Sequence, residues 1–107
     1  TTKQCRHRKV LAQAKGYRLS YSKLYKRAHE AVMHAGQYSL IGRRHRYGQM
    51  RELWIERINA ALEAFDLRYS VFIKALSVKK IDLNRKMLAA LALDHKEAFA
   101  AVVAKVK

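Results

Sequence analysis

Four arginines crowd one short stretch of this chain: Arg43, Arg44 and Arg46 around His45, and then Arg51. A guanidinium is planar and always charged, makes paired hydrogen bonds to phosphate oxygens, and stacks on aromatic rings and bases. The chemistry of such a cluster is recognition of a polyanion rather than bond making. Arg6, Arg8, Lys9, Lys15, Arg18, Lys23, Lys26 and Arg27 lead up to it, with Tyr17 among them as an aromatic, and Arg57 follows. Arg85 and Lys86 form a second, weaker set. The charge is one-sided. Residues 1–51 hold 13 of the 23 Lys and Arg against a single acid, Glu30, for a net of +12; residues 52–107 hold the other 10 against seven acids, for a net of +3. That asymmetry points to a polyanionic partner for the first half.

Other chemistries lack their residues. The eight acids are scattered and form no evident pair for acid–base work. His29, His34 and His45 lie on a basic helix and read as nucleic-acid contacts or exposed side chains rather than general bases. Cys5 and His7 are half a metal site at most, since structural zinc takes about four ligands and no second cysteine exists. No glycine-rich phosphate loop occurs. Catalysis, a metal, a cofactor and a small-molecule substrate are therefore not expected. No apolar run approaches the roughly 20 residues of a membrane span. A helix lying on a membrane surface would set large apolar residues opposite its cations, whereas the basic segment sets alanine and tyrosine there. A lone cysteine excludes an intramolecular disulfide and suits a reducing compartment.

These cations must be carried by helices. The chain has no proline and only four glycines, which favours an all-α fold. Residues 1–16 read as a basic arm leading into a short helix, with Gly16 at a turn and Ser20 or Ser22 as the cap of the next helix. Tyr21, Leu24, Tyr25, Ala28, Ala31, Val32, Ala35 and Tyr38 then make a stripe at helical spacing, as a core face or as a stacking surface for bases. Met50, Leu53, Trp54, Ile58, Ala61, Leu62 and Phe65 continue the pattern, so that one long helix is predicted from about Ser22 to Phe65. Gly36, Gly42 and Gly48 are its candidate bends. A turn at Asp66–Arg68 comes after it. Short helices come next, with Ser70, Asp82 and Asp94 as N-caps, the last in a capping box with Glu97. Trp54, Ile58 and Phe65 should pack against Leu83, Met87, Leu88 and Leu91 and against Phe99, Val102, Val103 and Val106. The organisation expected is a basic arm and first part of a long helix over 1–51, then the end of that helix and a compact helical unit over 52–107. Spacing alone does not choose between RNA and DNA, and a small DNA-compacting protein is the alternative to an RNA-binding one.

The segment Leu53-Trp54-Ile55-Glu56-Arg57-Ile58-Asn59-Ala60 resembles the signature of the bacterial-type ribosomal protein L-twenty family of the large subunit. Tyr69-Ser70-x-Phe72-Ile73, Arg85-Lys86-x-Leu88-Ala89, His7-Arg8-Lys9-Val10-Leu11 and Ala14-Lys15-Gly16-Tyr17 are similar to further family segments, in the same order and at near-identical spacing. The likeness covers almost the whole chain. It departs at the basic cluster, where Ile41 and Gly42 replace an arginine and an aspartate, and Tyr47 and Gly48 stand where basic residues are common. The resemblance implies a structural protein that binds large-subunit ribosomal RNA directly, supports assembly of that subunit and lies beside other large-subunit proteins. It also implies a home in a bacterial cytoplasmic ribosome, or in the ribosome of a mitochondrion or plastid. Phosphate contacts would position such a protein, and RNA shape would supply most of the specificity.

Overall fold

The computed structural model describes residues 1–107 as five α-helices with no strand. They are α1 (Thr2–Gln13), α2 (Tyr25–Glu63), α3 (Tyr69–Val78), α4 (Arg85–Asp94) and α5 (Lys96–Val106), with a 3-10 turn at Leu19–Ser22. The all-α architecture, with one long helix and a cluster of short ones after it, matches the sequence expectation. Two compact units divide the chain, Thr1–His45 and Arg46–Lys107, and α2 contributes to both.

In the first unit, α1 takes up nearly all of the basic arm. Thr1 and Gln4 close its start as a capping box. Gly16 ends the segment at φ +91°, a left-handed backbone that glycine adopts without a Cβ penalty. Neither serine serves as the expected cap of α2. The Ser22 hydroxyl donates to the Leu19 carbonyl at 3.2 Å, inside the 3-10 turn, and α2 starts only at Tyr25. The long helix has a partial cover here that the sequence did not reveal. Ala14 and Ala28 are fully buried, Val10, Leu11, Ala31 and Val32 are half-buried, and His7 stacks on Tyr25 with ring centroids 3.8 Å apart. Beyond Ala35 the cover ends. Every residue from Gly36 to Glu52 is exposed, and the helix passes through Gly36, Gly42 and Gly48 without a break.

The second unit owns the main hydrophobic core. Ile58 and Leu62 of α2 are buried with Phe72 and Leu76 of α3, Leu88, Ala89 and Ala92 of α4, and Phe99, Val103 and Val106 of α5. Phe99 lies at its centre, with its ring 5.9 Å from Phe72 and 6.2 Å from Phe65 in tilted pairs. Trp54 is only half-buried, though it packs against this core. Met50 and Met87, expected on buried faces, are exposed. Their stripes are narrower than a periodic pattern suggests, because short helices cover only part of each face.

One device closes two of the helices. At the end of α2 the Leu67 N–H donates to the Leu62 carbonyl (3.3 Å) and the Asp66 N–H to that of Glu63 (3.2 Å). At the end of α3 the Ile81 N–H donates to Leu76 (3.0 Å) and the Lys80 N–H to Ser77 (3.1 Å). Both are Schellman closures, in which glycine usually holds the left-handed position. Here Asp66 and Lys80 hold it, each at φ 54°, at a cost of order 1 kcal/mol. Leu62 with Leu67, and Leu76 with Ile81, belong to the core, so the apolar contact that accompanies the motif offsets that cost.

The helix starts depart from the sequence expectation. Asn84, not Asp82, caps α4, its Oδ1 accepting from the Met87 N–H at 2.8 Å. Ser70 lies inside α3, whose N-cap is Arg68 without a side-chain bond. Asp94 is the last residue of α4, and His95 alone links α4 to α5, so the capping box expected of Asp94 and Glu97 is not formed. In each case a neighbouring polar residue had the better composition, but packing of the short helices set the register. Replacing Asn84 by Ala should cost about 1 kcal/mol, while Asp82→Ala and Asp94→Ala remove no cap; urea denaturation of the three variants separates them. Trp54→Ala should cost about 2 kcal/mol, less than the roughly 3–5 kcal/mol expected of a fully buried aromatic such as Phe99, by the same measurement.

Candidate nucleic-acid interface

The cations of the first unit stand on α1, on the turn after it and on α2. Arg6, Arg8, Lys9, Lys15, Arg18, Lys23, Lys26 and Arg27 are all exposed, and Tyr17 is half-buried beside Gly16. Arg27 reaches Glu30 at 3.7 Å one turn on, the one ion pair in the chain. Both side chains are more than half exposed, so the pair contributes little and leaves Arg27 available. Among the tyrosines read as either a core face or a stacking surface for bases, Tyr25 is taken by His7 on one side and lies 5.8 Å from His29. Tyr38 stacks on His34 at 6.1 Å. Arg43 donates from Nη1 to the Ser39 hydroxyl at 2.6 Å, which fixes its stem along the helix and leaves the rest of its donor fork outward. Arg44 is exposed beside it in sequence.

In the second unit Arg46, Arg51 and Arg57 are exposed on α2 with no acidic partner. Arg85 differs. It is half-buried, and its Nε donates to the Tyr69 hydroxyl at 2.7 Å, tying the start of α4 to the start of α3. Its terminal nitrogens remain for other acceptors. Lys86 beside it is exposed, and both cations fall in the first turn of α4. Cations there oppose the helix dipole, a cost of about 0.3–1 kcal/mol each that an anion bound at the same turn would remove.

Two lysines outside the predicted set have structural work. Lys79 Nζ donates to the Lys105 carbonyl at the C-terminal end of α5 at 2.7 Å, placing positive charge where the helix dipole favours it, and Lys107 Nζ donates to that of Phe65, in the turn after α2, at 3.3 Å. Arg68 and Lys74 are further exposed cations outside the predicted set, each apart from any cluster, and Lys80 is exposed beside Lys79. Tyr69→Phe should cost about 1 kcal/mol through the lost bond to Arg85, with α4 otherwise intact; thermal unfolding with circular dichroism checks it.

The arrangement is all-helical, with cations presented on helix surfaces, no charged group in its core, and no helix long and apolar enough to cross a membrane. Its lineage is specific. The model of the family described as ribosomal protein L20 matches residues 1–102, and the chain belongs to that family of structural, non-enzymatic ribosomal proteins. It is similar to "Large ribosomal subunit protein bL20" of Herminiimonas arsenicoxydans, 52% identical over 99% of this chain and 89% of the relative. The protein of the same description from Dehalococcoides mccartyi is 52% identical over 94% of this chain and 84% of its own length. That of Burkholderia ambifaria is 48% identical over 99% and 89%.

Proposed function

We propose that this chain is a structural component of the large ribosomal subunit that binds large-subunit ribosomal RNA directly and supports assembly of that subunit beside neighbouring ribosomal proteins. The observation that carries the reading is the lack of internal neutralisation. The chain has 23 Lys and Arg and one ion pair, and the arginine-rich part of α2 has no protein cover. Like-charge neighbours on a helix cost a few tenths of a kcal/mol per pair, and the exposed Arg27–Glu30 pair is the only ion pair within the chain to set against that cost. RNA phosphates would offset it. Family membership supplies the choice of ribosomal RNA over DNA, and bacterial relatives support a bacterial ribosome as its place.

Under this reading Arg43, Arg44, Arg46 and Arg51 each neutralise a phosphate, and Arg6, Arg8, Lys9, Lys15, Arg18, Lys23, Lys26, Arg27 and Arg57 extend the contact. Tyr17 lies within this surface, and Arg85 and Lys86 make a smaller second one. Binding to large-subunit ribosomal RNA should then weaken by roughly 0.7–0.9 log units per contact for each log unit of salt. Changing the four clustered arginines to glutamine should flatten that slope by about three, with helicity kept because the two residues have similar helix propensity. An unchanged slope in the folded quadruple variant would reduce the cluster to a solvated face. Cosedimentation of the tagged chain with the nucleoid and not with large subunits would overturn the ribosomal role.

A further inference from the structure

Tyr47 has no work to do inside the molecule. It is 70% exposed, the most exposed aromatic of the chain, and its ring and hydroxyl make no stacking contact or hydrogen bond. Tyr25 and Tyr38 are stacked on histidines and Tyr69 accepts a hydrogen bond from Arg85, while Tyr17 and Tyr21, also without a partner, are far less exposed than Tyr47. The helix around Tyr47 is chemically specific. Arg51 lies one turn on, four residues away and therefore on the same face, about 5–6 Å distant between Cβ atoms. Arg46 precedes it, and neither arginine has an acidic partner. Gly48 follows it, and a Cβ there would meet nothing within 4 Å, so the helix is uncovered at that residue. An exposed aromatic plate, a free guanidinium one turn along and a residue without a side chain between them in sequence suit the base, phosphate and ribose of a single nucleotide.

We infer that Tyr47 is a stacking platform for an unpaired RNA base whose own phosphate is held by Arg51. The inference rests on the RNA-binding reading above and goes beyond it. Phosphate contacts alone do not distinguish paired from unpaired RNA, whereas a tyrosine ring offers its face only to a base that has left the helical stack. Tyr47 therefore selects a bulge or loop and sets the register in which the arginines meet the backbone. A protein neighbour is the weaker occupant, because the flanking unpaired arginines call for anionic charge at the same place.

The test uses the full chain and two probes, a short RNA duplex and the same duplex carrying one unpaired 2-aminopurine. Wild type should bind the bulged RNA more tightly and quench the 2-aminopurine fluorescence. Tyr47→Phe should keep both properties. Tyr47→Leu should lose the quenching and weaken bulged-RNA binding by about five- to 150-fold, the span expected for one stacked base, with duplex affinity and helicity unchanged. Arg51→Gln should weaken binding to both probes. Wild type binding both RNAs equally, or Tyr47→Leu keeping the preference, overturns the platform and leaves phosphate binding standing. Wild type binding neither probe at low salt removes the RNA-binding reading and the platform with it.

Discussion

Ile58 and Leu62 stand on the last turns of α2 with no solvent access, and the short helices α3, α4 and α5 have no complete core without them. This seam is the constraint on which the second unit depends. Chains of such size lie near the lower limit at which one hydrophobic core sustains a domain, so a few large side chains must supply most of the burial. Phe72, Leu88, Phe99 and Val103 share one buried cluster with the α2 pair and are themselves fully buried or nearly so. α4 and α5 are joined by the single residue His95. The Schellman closures at Leu62–Leu67 and Leu76–Ile81 turn the chain sharply enough to bring α3 and α4 back onto the seam. Glycine would take those turns at lower strain, yet Asp66 and Lys80 hold them, and the core contacts of Leu67 and Ile81 keep the backbone in place.

Much of this was legible in the sequence, and the physical reason is period. Trp54, Ile58, Leu62 and Phe65 recur at the helical interval over several turns, as do Phe99, Val103 and Val106, and a repeated interval survives errors at any one residue. The long helix, its approximate ends and the core partners follow from that. Helix caps do not repeat. Each rests on one polar side chain against one backbone N–H, and several neighbouring residues are chemically able to do it. Asn84 and Asp82 are two residues apart and equally good caps by composition; the register that buries Leu88 selects Asn84. Asp94 loses its place for a similar reason, since α4 continues through it to bury Ala92.

For the candidate interface, the identity of the cations was legible and their commitments were not. Composition distinguishes neither Lys79 and Lys107, which hold backbone carbonyls, from Lys86, which is free, nor Arg85 from Arg57. The aromatics show the same limit. Tyr25, Tyr38 and Tyr47 look alike along the sequence, but two are engaged by histidines four residues away or on another helix, and one is not. Only the fold sorts them, because a stacking partner can come from a distant segment, as His7 does for Tyr25.

The chain therefore separates its two tasks in space. Its buried side chains include no polar or charged residue, and no buried side-chain polar atom lacks a partner. Nothing in the core has to be compromised for recognition. The recognition groups proposed on α2 lie where packing is absent, between Gly36 and Glu52, so they add nothing to folding and carry the repulsion of their own charges. Such a helix segment owes its persistence to propagation from packed turns at either side, since helix formation is costly to nucleate and cheap to extend. Glycine at 36, 42 and 48 weakens propagation by up to about 1 kcal/mol each relative to alanine, and nothing in the chain packs against those positions. Their tolerance makes sense when the stabilising surface is supplied from outside. A polyanion that binds only the folded form stabilises it by mass action, and bare backbone at Gly48 lets a sugar–phosphate chain come closer than any side chain would. The same residues that leave the free helix weakest are those that leave it most open to the RNA proposed as its partner.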